Sequence, residues 1–201
     1  MMGHPDPTSE QDPVVRSVAA YSNEPQAYAD HYAHHLLDRP HRFAASLPAA
    51  ARILDLGCGP GRDLRIFAAL GHRPIGLELN LDFVELARHQ GDVVVGDIRA
   101  VSTLFPPASF DGVWAQASLV HLSTDETAQA LADLHALLVP GGHCYACVSV
   151  TGATGWLDEP DGRRWYTVWP DESFLDAVRA AGFEITDITR GPYIEVWATK
   201  V

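Results

Sequence analysis

The chain has 201 residues, of which 47% are hydrophobic and 20% charged, enough for one well-buried domain. Its formal net charge is −12, with only 14 basic residues and no basic run, which argues against a nucleic-acid partner gripped through phosphates. No apolar run approaches the roughly 18 residues of a membrane span, so no membrane partner is expected.

Residues 1–13 are polar and proline-rich and lack the basic and apolar regions of a signal peptide; they are expected to form a disordered tail. Residues 14–201 are expected to form a single domain. It opens with an N-terminal helical cap: a helix from Pro25 to Leu37, then a second from His41 to Ser46. Arg52–Leu56 reads as the first strand, and Arg62–Leu70 as a helix stopped by Gly71. Pro74–Leu79 is a second strand, and Asn80 caps a helix over Leu81–His89. Strands are expected at Asp92–Val95 and Phe110–Ala115. Thr124–Leu138 is the longest helix, with an apolar stripe through Leu131, Leu134, Leu137 and Leu138, ended by Pro140-Gly141-Gly142. His143–Val150 is the fifth strand. Residues 151–170 read as a long loop of the kind used for lids or binding. A helix over Glu172–Ala181 and strands over Phe183–Ile188 and Tyr193–Thr199 complete the chain. Alternating strands and helices imply an α/β fold: a Rossmann-like seven-stranded sheet, mostly parallel with an antiparallel C-terminal strand, and helices on both faces. The antiparallel strand is expected because the last two strands lie too close for a crossover helix.

The most informative segment is Ile53-Leu54-Asp55-Leu56-Gly57-Cys58-Gly59-Pro60-Gly61-Arg62-Asp63. It is a strand, a turn through three glycines and the start of a helix. Glycine lets the backbone take unusual dihedrals and approach a ligand closely, and such a unit builds a nucleotide-cofactor pocket at the carboxyl end of the strand. Dinucleotide turns prefer G-x-G-x-x-G. Here the third glycine comes one residue early and Arg62 sits where that fingerprint wants glycine, which disfavours a nicotinamide oxidoreductase.

The run D-x-G-x-G-x-G resembles motif I of the class I S-adenosylmethionine (SAM) dependent methyltransferases, in particular their small-molecule branch. Phe110-Asp111-Gly112-Val113-Trp114-Ala115-Gln116-Ala117-Ser118-Leu119-Val120-His121-Leu122 resembles that family's motif IV and the segment after it. Leu137-Leu138-Val139-Pro140-Gly141-Gly142 resembles its helix-end motif, so the likeness spans about residue 20 to the end. It implies SAM as cofactor, with S-adenosylhomocysteine as product. Gly57, Cys58, Gly59 and Gly61 would form the turn, and Asp55 and Asp63 would face the methionine ammonium. Glu78, ending the second strand, would take the ribose hydroxyls together with neighbouring Leu79. Asp97 would take the adenine amine and Ile98 the ring, with Ala115 and Gln116 as the wall after the fourth strand. Asp63 has a second reading as a first-turn acid suited to the helix dipole, and Asp97 as a turn cap.

Two regions can supply the acceptor wall. In Tyr21–Tyr32, Tyr28 and Tyr32 are four apart and share a helix face; Tyr28 is a candidate catalytic residue and Tyr32 a substrate contact. In the 151–170 loop, Trp156, Trp165 and Tyr166 suit a flat or cationic acceptor, and Arg163 with its neighbour Arg164 an anionic one. His121 is the base candidate, since its ordinary pKa suits proton transfer near neutrality. The expected function is methyl transfer to oxygen or nitrogen of a small molecule. The alternative is SAM binding without methyl transfer, as in a regulator or a repurposed cyclase or decarboxylase. Ala115-Gln116-Ala117-Ser118 stands where many amino-methylating nucleic-acid enzymes carry an Asn/Asp-Pro-Pro-Tyr motif. No metal site is expected: His31, His34, His35 and Asp38 read as surface residues. Cys144 and Cys147 lie on opposite faces of one strand as core residues. Cytoplasmic localisation and a monomer or homodimer complete the expectations.

Overall fold

The computed structural model describes residues 12–201. Most of the expected tail therefore lies outside the described residues, but its last two positions begin a helix that the sequence pattern did not reveal. Asp12 caps α1 (Pro13–Ala20), accepting from the Val14 N–H at 2.9 Å, and Pro13 suits the first turn. The expected helix over 25–37 ends at Tyr32 as α2 (Pro25–Tyr32). After a break where Leu36 takes a left-handed φ of 51°, α3 (Asp38–Ala45) begins three residues earlier than expected. Pro40 is tolerated there because first-turn N–H groups have no helical partner.

The main sheet is formed by β1 (Arg52–Leu56), β2 (Arg73–Glu78), β3 (Asp92–Val95), β4 (Phe110–Ala115), β5 (Leu138–Ser149), β8 (Phe183–Arg190) and β9 (Tyr193–Lys200). Its order is β3-β2-β1-β4-β5-β9-β8, parallel except for β9, which runs antiparallel to both β5 and β8. Order reverses between β1 and β4, which places a ligand crevice beyond the carboxyl ends of those strands. Side chains alternate strictly: Leu54, Leu56, Cys144, Ala146 and Val148 enter one core, whereas Ile53, Trp114, Tyr145, Cys147 and Trp197 enter the other. Cys144 and Cys147 do fall on opposite faces. Helices α3 and α4 (Arg62–Ala69) bring Phe43 and Phe67 to the second core. α7 (Thr124–Leu137) and α8 (Asp171–Ala180) bring Leu131, Leu134, Phe174 and Val178 to the first.

Three connections differ from expectation or go beyond it. Pro140-Gly141-Gly142 lies inside β5, not at a helix end, because Ser109 N–H already bonds the Leu137 carbonyl at 2.8 Å and Lys200 Nζ bonds those of His135 and Leu138. Residues 98–104, left unassigned by the sequence pattern, form a 3₁₀ turn (Ile98–Ala100) and α6 (Val101–Leu104). The expected loop over 151–170 is largely a hairpin, β6 (Gly155–Glu159) with β7 (Gly162–Tyr166), in which Trp156 pairs with Trp165. Its strands are short and rich in charge, which hides the alternation. The hairpin packs on α1: Trp165 N–H donates to Ser17 Oγ at 2.8 Å and Asn23 Nδ2 to the Asp161 carbonyl at 2.6 Å.

Candidate functional site: a cleft over the glycine turn

The turn after β1 is held by sterics. Gly57 has φ +65°, and a Cβ there would lie 2.6 Å from Ser118 Cβ. Gly61 has φ +88°, and a Cβ would meet the Ala87 backbone at 2.9 Å, so α4 can start only from glycine. Around Gly59, by contrast, nothing would touch an added Cβ within 4 Å. A cleft opens there, lined by Gly57, Gly59, Glu78, Asp97 and Tyr28.

Glu78 is the hinge of this cleft. Oε1 accepts from the N–H groups of Leu79 (2.8 Å) and Asn80 (2.7 Å), and Oε2 from Gly59 at 2.8 Å. Burial raises its pKa, opposed by those three N–H bonds. A carboxylate oxygen has two acceptor positions, so Oε2 keeps one. Leu79, Asp97, Ile98 and Gln116 also line the cleft, and the buried Gln116 Oε1 and Ser118 Oγ have no protein partner. Beside them Ala117 is held at φ +53°, which a β-carbon disfavours.

Other expected residues sit differently. Asp97 caps the turn after it and binds Arg99 through both oxygens, at 2.6 Å to Nη2, so an exocyclic amine would share it with Arg99. Asp63 is engaged by Arg62 Nε (2.7 Å), Arg62 Nη2 (2.8 Å) and Trp114 Nε1 (2.9 Å), which ties it to the sheet instead of freeing it for a ligand. Asp55 is buried under the turn with Oδ2 unpartnered. Its pKa is raised by burial first and by Asp63 second. The Cys58 side chain packs with Leu64 and Ala87 and fills the space a Cβ at Gly76 would need, so only its backbone can serve the turn. Ala115 is wholly buried and does not line the cleft.

A roof of aromatic rings closes the opposite side. Tyr28 lines the cleft against Tyr21 (ring centroids 5.1 Å) and Phe83 (5.2 Å). Tyr32 stays 41% exposed, its ring tilted against Tyr28 at 4.6 Å, because α2 carries it past the cleft's edge. His31 and His35 are exposed and stack on each other at 5.2 Å. In the hairpin, alternation turns Arg163 outward to Asp158, while Arg164 is 4% exposed, paired with Asp161 and set 3.8 Å over the Tyr21 ring. Trp156 packs under Arg16 and away from the cleft. Trp165 contributes its backbone, and the Tyr166 ring lies 4.9 Å from His121. Tyr21 and Arg164 are thus the residues that sequence reasoning under-weighted. The signal available was the residue type; the missing knowledge was the hairpin's register.

His121 is buried and lines the cleft, but both nitrogens have partners: Nδ1 meets the Trp165 carbonyl at 2.5 Å and Nε2 the Tyr21 hydroxyl at 2.9 Å. A carbonyl only accepts, so Nδ1 carries the proton and Nε2 accepts from Tyr21. Burial, helped by Arg164, pushes the pKa down to about 4. A histidine that stays neutral when folded but protonates when unfolded makes stability fall as pH drops from 6.5 towards 4. The loss is up to about 3 kcal/mol. Thermal unfolding across that window checks it: His121→Gln should show a shallower acid decline than the unsubstituted chain, and equal slopes would contradict the assignment.

A family model described as a methyltransferase domain matches residues 53–142, the run from β1 through the glycine turn to the start of β5. Over that run the chain is similar to the class I SAM-dependent methyltransferases. It is 30% identical over 150 residues to an O-methyltransferase of Penicillium expansum, covering 68% of this chain and 53% of that one. A SAM-dependent Diels-Alderase of Talaromyces variabilis is 35% identical over 114 residues, covering 52% of this chain and 38% of that protein. The chain therefore spans about a third to a half of the curated relatives it matches. Among solved structures, the Burkholderia thailandensis 1,6-didemethyltoxoflavin N1-methyltransferase, with bound 1,6-didemethyltoxoflavin and S-adenosylhomocysteine, superposes with a TM-score of 0.75. It is 27% identical and the match covers 100% of this chain and 93% of that one. The matched run thus holds the glycine turn and the acid ending β2 in one unit. Among the described residues no helix is long and apolar enough to cross a membrane.

Proposed function

We propose that the chain is a SAM-dependent methyltransferase that methylates oxygen or nitrogen of a small molecule, releasing S-adenosylhomocysteine. One observation carries this reading: Glu78 joins the end of β2 to the Gly59 N–H in a cleft where two further buried polar atoms, Gln116 Oε1 and Ser118 Oγ, have no protein partner. When bound, SAM supplies an electrophilic methyl group on a sulfonium. Glu78 would accept from its ribose hydroxyls, Asp97 and Ile98 would meet the adenine, and Gly57 and Gly59 would let the backbone lie against the methionine end of the cofactor. The unpartnered Asp55 Oδ2 suits an ammonium group or a water leading to one. Tyr28 and Phe83 close the roof and exclude water, and positioning supplies much of the acceleration for an in-line displacement.

A small-molecule acceptor, not nucleic acid or membrane, is supported by the net charge of −12 and by Ala115-Gln116-Ala117-Ser118 after β4. Three buried, unpaired cysteines support a reducing, cytoplasmic setting, and we propose a monomer or homodimer. The likeness to a Diels-Alderase keeps a second reading open, SAM binding without transfer. Incubation with methyl-labelled SAM and a fractionated metabolite extract separates the two. Label in a small molecule is expected; SAM binding with no labelled product from any fraction would favour the second reading.

A further inference from the structure

Helix α2 has little of its own to hold it. None of its eight residues is buried, and Glu24 ahead of it makes no side-chain cap. A helix that short is marginal by itself in water. Yet α2 carries Tyr28, whose ring lines the cleft against Tyr21 and Phe83. Its far end is held by Arg62, the residue that stands where a dinucleotide turn would carry glycine. Arg62 Nη1 donates to the carbonyls of Tyr32 at 3.2 Å and His35 at 3.0 Å. Among the described residues these are the only hydrogen bonds between residues 25–36 and anything outside residues 24–39. Carbonyls at the end of a helix lack intrahelical partners and form the negative end of its dipole, so a cation there stabilises it. The other side of the same guanidinium is fixed. Nε and Nη2 grip Asp63, and Trp114 Nε1 holds Asp63 from inside the sheet's second core. One planar fork thus connects the buried sheet, through the start of α4, to the roof.

We infer that Arg62 is a positioning residue: it latches α2 to the floor of the cleft and so holds Tyr28 over the cofactor. The cofactor part of this rests on the SAM reading above. Arg62 does not itself line the cleft, so it acts on a ligand only through what it holds. With the latch closed, α2 is ordered before a ligand arrives, and binding does not bear the entropy of ordering it. Lysine cannot take over the role. Its ammonium is a single point charge, able to pair with Asp63 but not to span from Asp63 to both carbonyls as the guanidinium fork does.

The test compares the full chain with Arg62→Lys, which keeps a cation beside the buried Asp63. Without ligand, amide hydrogen exchange is expected to speed up in residues 25–36 alone, while α4 and the sheet keep the parent's protection. The dissociation rate of S-adenosylhomocysteine should rise by at least roughly fivefold, the low end of coupling between linked elements. In a Tyr28→Ala background the ring that the latch positions is already gone. There the same lysine substitution should change the dissociation rate by less than about twofold, because coupled residues are not additive. Unchanged exchange in residues 25–36, faster exchange spread through α4 and the sheet, loss of folding in Arg62→Lys, an unchanged dissociation rate, or additive effects of the two substitutions would each overturn the inference. Failure of the parent chain to bind S-adenosylhomocysteine would instead overturn the reading beneath it, and the exchange comparison would still decide whether Arg62 latches α2.

Discussion

Gly57→Ala is expected to lower the melting temperature by roughly 5–15 °C and SAM affinity by at least about tenfold. Two costs combine. The residue sits at φ +65°, where an L side chain loses roughly 1–2 kcal/mol. The new Cβ would also lie 2.6 Å from Ser118 Cβ, and overpacking of that kind costs typically about 1–3 kcal/mol. Ser118 cannot yield cheaply, because its neighbour Ala117 already occupies the left-handed region and its N–H is bonded to Cys147 Sγ at 3.1 Å. For a chain of this length each kcal/mol shifts the midpoint by roughly 2–4 °C. Relief would move Ala117 and Ser118, both of which line the cleft, so stability and affinity fall together. Gly59→Ala is the control: it bears the dihedral cost but meets no atom within 4 Å, so its stability loss should be the smaller. Equal melting temperatures for Gly57→Ala and the parent would contradict the account of the turn.

Glu78→Ala is expected to weaken SAM by about 10- to 150-fold, since charge-assisted hydrogen bonds contribute about 1.5–3 kcal/mol. It also strips the N–H groups of Gly59, Leu79 and Asn80 of their acceptor, so the turn loses its link to β2. Asn80 holds the roof as well, bonding the Val18 carbonyl at 2.8 Å and Ser22 Oγ at 3.0 Å, and should loosen with it. Glu78→Gln separates charge from shape: it fills the same space but places an amide against donor groups. SAM affinity should also fall on acidification. Burial raises the Glu78 pKa above its ordinary value, so the carboxylate is lost as pH falls through that raised value, at higher pH than for an exposed glutamate. Calorimetry on the parent and both variants across the acid range checks all three expectations; affinity unchanged in Glu78→Ala would remove the ribose assignment.

How much of this was legible in the sequence depended on how local each feature is. The glycine turn and the acid ending β2 are set within 26 residues by rules of backbone sterics and strand period, and the structure joins them through the Glu78–Gly59 bond. The antiparallel last strand could be read from connection length alone. The roof was not legible. Helix α1 is short, and its Val14, Val15 and Val18 are β-branched residues that helix propensity disfavours; it persists because Asp12 caps it and Val14 enters the core. The choice of Arg163 over Arg164 turned on which face of an unrecognised strand each occupied, and a one-residue slip inverts that answer. Likewise Tyr21 and His121 are 100 residues apart, and Trp165 a further 44 along. Their hydrogen-bond direction exists only once α1, the segment after β4 and the hairpin are packed together.

The most direct test of the central claim is calorimetric titration of the full chain with SAM, S-adenosylhomocysteine and NAD, repeated on Gly57→Ala. The account predicts binding of SAM and S-adenosylhomocysteine, no heat from NAD, and markedly weaker binding to the variant. Binding of NAD with none of SAM would contradict it.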